Sequence, residues 1–180
     1  MPAQLNAFKW SLVFISVLVK CNSNEIVNPF FFFVDSKGGN APFIIFDSAD
    51  IKKAIVGVMA SKFRGSGQTC ICANRILVQE NVYDRFVEEL AKEMNKQLRI
   101  GSGFEKETTQ GPLINKLAVN KVSELVEDSK AKGAKVVLGG KRSDILSGNF
   151  YEPTLLTDVN LSMKIAREEI FGPIAAIIKY

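Results

Sequence analysis

The pattern of hydrophobic positions changes character near residue 36. The first 35 residues hold two apolar runs, Trp10–Val19 and Phe30–Val34. Beyond them, short apolar runs alternate with stretches in which apolar residues recur at helical spacing. Ala41–Phe46 predicts a buried strand. Asp47-Ser48 offers an N-cap for a helix whose inner face is Ile51, Ile55, Val58 and Met59, ending near Lys62. Gly65-Ser66-Gly67 marks a turn leading to Cys70, and Arg75–Gln79 predicts a strand. Asn81 is the expected cap of a second helix facing inward with Val82, Phe86, Leu90, Met94 and Leu98. After a polar loop, Asn115 caps a third helix with Ala118, Val122, Leu125, Val126 and Ser129 inward, stopping at Gly133. Lys135–Leu138 and Phe150–Thr157 read as strands, with Pro153 arguing for an edge or bend in the latter. Lys164–Ile170 predicts a short helix and Ile174–Tyr180 a final strand, where the sheet is expected to be cut in mid-run. Strands separated by helices imply an α/β fold with a mainly parallel sheet flanked by helices.

Composition narrows the chemistry more than the fold. A chain of 180 residues, 47% hydrophobic and 23% charged, suits one globular domain. It has no histidine, which excludes Ser-His-Asp and Cys-His catalysis and every His-containing zinc site. The net charge of +4 is spread among interspersed acidic residues, so no nucleic-acid partner is expected. Three cysteines do not form a secreted disulfide framework, and a reducing compartment follows. The apolar run Trp10–Val19 is too short to span a bilayer, which takes about 20 residues. It has the length of a signal-peptide core, but Lys20-Cys21-Asn22 follows it in place of a small-x-small cleavage site. A mitochondrial presequence would be rich in arginine, and this head has none. Residues 1–35 are therefore read as an atypical hydrophobic head: buried strands, or a segment foreign to the domain over residues 36–180. No membrane partner is expected.

Gly65-Ser66-Gly67 opens like a dinucleotide-binding fingerprint, but Cys70 stands where the third glycine belongs. A lone cysteine is most simply a core residue. Its position after a flexible glycine-containing loop favours a reactive thiol, because backbone N–H groups there can stabilise a thiolate and bind an oxyanion.

FRGSGQTCICANRILVQ (63–79) resembles the nucleophile segment of the aldehyde dehydrogenase superfamily. GGNAPFIIFDSADI (38–51), GPLIN (111–115), YEPTLLTDV (151–159) and EEIFGPIAAIIKY (168–180) follow in family order, and the closest likeness is to succinate-semialdehyde dehydrogenases. The resemblance implies part of the family's catalytic domain. It makes Cys70 the nucleophile that forms a thiohemiacetal and then a thioester. Glu169 would hold the ribose hydroxyls of NAD or NADP, and Phe171 would pack beside the nicotinamide. Arg64 would clamp the substrate carboxylate, a task suited to a planar, permanently charged guanidinium. Cys72 matches a second cysteine that pairs reversibly with the nucleophile. In an extended strand the two would stand about 6.6 Å apart, so the bond needs a bent loop and would be strained. The resemblance further implies a small aldehyde as substrate, a homo-oligomer, and a mitochondrial or cytoplasmic location.

The family pattern is broken in one catalytic position. Where relatives carry the glutamate that activates water, this chain has Ser36, which is no base near neutral pH. Nothing before Gly38 resembles the family, so the cofactor-binding domain is expected to be missing, and at the other end the final catalytic-domain strands and the oligomerisation strand are expected to be missing as well. Two readings follow. Either the chain carries the nucleophile segment of a succinate-semialdehyde dehydrogenase and is inactive alone, or it is a non-catalytic remnant or redox-sensitive interaction domain built on Cys70 and Cys72.

Overall fold

The computed structural model describes residues 40–143 and 148–180. Trp10–Val19, Phe30–Val34 and Ser36 lie outside them. The elements run β1 (Pro42–Ile45), α1 (Ile51–Lys62), β2 (Arg75–Val78), α2 (Glu80–Gln97), α3 (Lys116–Ala131), β3 (Lys135–Leu138), β4 (Thr154–Thr157) and β5 (Ile174–Lys179), with two short 3₁₀ turns at Arg64–Gly67 and Lys164–Ala166. The five strands form one sheet in the order β1-β2-β5-β4-β3. All neighbours are parallel except β3, which runs antiparallel to β4.

The alternation of side chains along a strand sends successive residues to opposite faces, and the core divides accordingly. Ala175 and Ile177 of β5 and Leu155 of β4 join Phe43, Ile45, Ile76 and Val78 beneath α1 and α2. Ile174, Ala176 and Ile178, with Leu156, meet α3 on the other side. The continuous apolar run of β5 is therefore what a central parallel strand covered on both faces requires. β5 is paired on both sides, by β2 and β4.

Several expected boundaries move, each for a local reason. The cap of α1 is Asp50, whose carboxylate accepts from Lys53 N, while Asp47-Ser48 lies in the preceding turn. Helix α2 starts directly off β2 with Gln79 as cap, and Asn81 is already inside it. Tyr83 takes the buried place expected of Val82, its hydroxyl accepting from Asp158 N at 2.9 Å. Leu98 caps the C-terminus of α2 and is half-buried. Asn115 does cap α3, but Val119 is buried where Ala118 was expected.

Pro153 marks neither an edge nor a bend. It stands just before β4, and Pro173 just before β5, so neither interrupts a ladder. Thr154 N donates to Pro173 O across that shared beginning, and every residue of β4 is buried. The Lys164–Ile170 helix stops after Ala166 because Asn74 captures the backbone groups a helix would use. Its Nδ2 donates to Glu168 O and its Oδ1 accepts from Ile170 N.

Candidate active site

The last residue of α1 begins the site. Ile51, Ala54, Ile55, Val58, Met59 and Lys62 form one buried helical stripe, so a lysine occupies a position where the period demands an apolar side chain. Lys62 is 0% exposed, and its Nζ has no hydrogen-bond partner. Burial pushes its pKa down from 10.5 to about 8, against the opposing pull of Cys72 and Glu169.

The chain then reverses through three successive left-handed residues, Gly65, Ser66 and Gly67, with φ of 56°, 55° and 72°. Gly67 is obligatory on two counts. Its conformation disfavours a side chain, and a Cβ there would lie 2.1 Å from Gly172 O. Ser66 adopts the same conformation at some cost, offset by its hydroxyl donating to Gly111 O at 3.0 Å. Gln68 extends this brace, donating to Pro112 O and accepting from Ile114 N. Gln110 Nε2 donates to Phe63 O at 2.9 Å. The segment 110–114 thus holds the loop from the side, a role its sequence did not disclose.

Thr69–Cys72 is a turn closed by Cys72 N donating to Thr69 O. Cys70 stands on this turn, after the glycine-containing loop and five residues before β2. Cys70 is exposed and Cys72 is 4% exposed; both are free thiols. The sulfur of Cys72 lies 2.9 Å from the Thr69 hydroxyl. The chain is bent between the two cysteines. Arg64 is exposed at the start of the 3₁₀ turn on the same loop.

The second half of the site comes from the segment before β5. Asn74, 2% exposed, bonds to Asn40 as well as to Glu168 and Ile170, and so grips the backbone on either side of Glu169. Lys121 Nζ donates to Glu169 O at 2.6 Å. One carboxylate oxygen of Glu169, Oε1, is buried without a partner. Phe171 has φ of 53°, an uncommon conformation for an aromatic residue, and the residue remains 39% exposed. An orphaned carboxylate oxygen suits a pair of hydroxyl donors, and an exposed ring suits a flat partner. These residues fit a nicotinamide nucleotide.

Sequence reasoning missed Lys62 and Asn74. The apolar stripe of α1 gave a signal for the former, whereas nothing local marked the latter. Among the described residues no group of acidic or cysteine side chains could hold a metal ion, and no helix is long and apolar enough to cross a membrane. A cleft of about 340 Å³ between α2 and the β3–β4 end of the sheet, lined by Met94, Leu98, Leu138 and Pro153, contains none of the expected site residues.

The chain is 57% identical over 143 residues to the mitochondrial succinate-semialdehyde dehydrogenase of Rattus norvegicus, covering 79% of this chain and 27% of that protein. It is 54% identical to a glutarate-semialdehyde dehydrogenase of Pseudomonas putida, covering 79% and 29%. The crystal structure of an NADP-dependent enzyme from E. coli superposes with a TM-score of 0.77 at 52% identity, over 79% of this chain and 29% of that one. The chain thus spans little more than a quarter of the length of these relatives. The profile described as "Aldehyde dehydrogenase family" matches residues 35–180, and the chain belongs to that family.

Proposed function

We propose that residues 36–180 carry the nucleophile segment of an aldehyde dehydrogenase acting on a small carboxylated aldehyde, with succinate semialdehyde as the favoured substrate. The observation that carries this reading is the exposed Cys70, held on a turn braced by Gln68, Ser66 and Gln110. Cys70 attacks the aldehyde carbon as a thiolate, forming a thiohemiacetal whose oxygen the Cys70 backbone N–H can hold. Arg64 draws the distal carboxylate to the same loop. Bound NAD or NADP supplies the hydride acceptor. Glu169 would hold its ribose hydroxyls and Phe171 would pack beside its ring. Release of the acyl group from Cys70 needs a base to activate water, and Ser36 stands at that position, so steady turnover by this chain is not expected. The family reading carries with it a homo-oligomer and a mitochondrial or cytoplasmic location.

The bend joining Cys70 and Cys72 supports a second reading, a redox-sensitive domain without turnover. One experiment separates the two. Alkylation of Cys70 is timed by peptide mass spectrometry in the presence of succinate semialdehyde or of butyraldehyde. The first reading expects the semialdehyde to protect Cys70 more strongly, and Arg64→Gln to remove the difference. Equal protection by both aldehydes in the unmutated chain would sink it. Reduction of NAD or NADP is followed in parallel, and sustained turnover would refute the role given to Ser36.

A further inference from the structure

Lys62 has no part in the chemistry just described, yet it is the most unusual side chain of the site. It is buried in the stripe that anchors α1, with an unpartnered Nζ at the helix C-terminus, where a cation is favoured. The turn that carries Cys72 is seated against the end of α1, Ala73 N donating to Ser61 O at 3.3 Å, and the groups that act on Lys62 there are Cys72, itself buried, and Glu169, whose Oε1 is also buried without a partner. Cys72 is fixed by the Thr69 hydroxyl at 2.9 Å on the turn that presents Cys70 to solvent. A hydrophobic side chain at residue 62 would pack as well and would avoid burying a charge.

We propose that Lys62 is a positioning residue for Cys72, its buried ammonium favouring the negative charge that the sulfur carries when it attacks a modified Cys70. This rests on the reading of Cys72 as redox partner of Cys70, and adds the group that drives the exchange. A low-molecular-weight disulfide, RSSR, first meets the exposed Cys70. The Cys70 thiolate displaces one RS⁻ and forms a Cys70–SR mixed disulfide. The Cys72 thiolate then attacks the Cys70 sulfur, the S–SR bond breaks, and the second RS⁻ leaves as the Cys70–Cys72 disulfide forms. Two thiolates are oxidised and one RSSR is reduced to two RS⁻. Deprotonated Lys62 has no charge to offer, so the assistance fades with rising pH.

The test uses the full chain in a Cys21→Ser background and an aromatic disulfide whose thiolate is coloured. Release of the first RS⁻ reports capping of Cys70, and release of the second reports attack by Cys72. At pH 7 the second phase is expected to be about tenfold slower in Lys62→Met, the scale of one nearby charge. The difference is expected to vanish by pH 10, while Lys62→Arg, charged throughout, keeps the fast phase. The pH profile of the unmutated chain gives the same information should a variant fail to fold. A second phase that is unchanged in Lys62→Met, or slowed equally at every pH, overturns the role of Lys62 and leaves the cysteine pair standing. Absence of any second phase and of a linked Cys70–Cys72 peptide in the unmutated chain overturns the pair itself, and the proposal with it.

Discussion

Replacing Lys62 by methionine should stabilise the protein, and only over part of the pH range. Methionine has a similar length and satisfies the apolar stripe of α1, and it removes a buried charge that has no hydrogen-bond partner. Burial lowers the pKa of Lys62 from 10.5 to about 8. Each pH unit of that difference is worth about 1.4 kcal/mol, so at neutral pH the ammonium costs the folded state about 3 kcal/mol. The sign follows from proton counting. Between pH 8 and 10.5 the unfolded chain holds a proton on Lys62 that the folded chain has released, so stability rises with pH across that window. Below pH 8 the side chain is charged in both states and that stabilisation is gone. The advantage of Lys62→Met should therefore be about 3 kcal/mol at pH 7 and close to zero above pH 10.5. Tyrosines add an opposite trend: burial raises Tyr151 to about 12, and stability from that group is lost as pH rises from 10 towards 12. That contribution is common to both proteins and cancels in the difference. Urea midpoints measured from pH 6 to 11 would test this. A difference that is flat with pH, or a variant less stable at pH 7, would refute the argument that desolvation dominates at Lys62.

Two further expectations concern the loop and its clamp. Asn74→Ala leaves the buried N–H of Ile170 without an acceptor and should destabilise by about 2–3 kcal/mol. Amide exchange at Ile170 should rise more than at Leu90 in the core of α2, and a uniform rise would show that Asn74 does not act locally. Alanine in place of Gly67, Gly65 and Gly103 should form a descending series. Gly67 meets a carbonyl at 2.1 Å and has positive φ, Gly65 has positive φ in open space, and Gly103 has neither restriction. Losses of more than about 2, about 1 and near 0 kcal/mol are expected from thermal melts, and any other order would contradict the packing of Gly67 against Gly172.

The fold was largely legible because its signals are local. Ile51, Ile55, Val58 and Met59 mark α1, Asn115 caps α3, and the run at Ile174–Lys179 announces a doubly covered strand. The misreadings arise where a distant residue intervenes. Asn74, which lies 96 positions from Ile170, truncates a helix that the local pattern supports. Pro153 breaks no ladder because it stands at the very start of a strand, a placement that depends on its neighbour β5. The candidate site divides in the same way. Cys70, Cys72 and Arg64 share one loop and were visible as a motif, as were Glu169 and Phe171 in theirs. The brace from Gln110, Gly111 and Pro112 joins segments more than 40 positions apart, and no local periodicity encodes it.

The sheet order has a consequence for how the protein comes into being. Among the described strands β5 follows the other four in sequence yet lies in the middle of the sheet, so β1–β2 and β3–β4 are made before it as two separate pairs. Until β5 emerges, β2 and β4 each present an unpaired edge, and residues that later cover each other face solvent. The segment that Asn74 grips, and that packs against Gly67, is synthesised just before β5. The nucleophile loop is therefore made before its clamp, Asn74 preceding Ile170 by 96 positions. Organisation of Cys70 waits for that segment, and the interval before it exposes the nascent chain to aggregation or premature thiol oxidation.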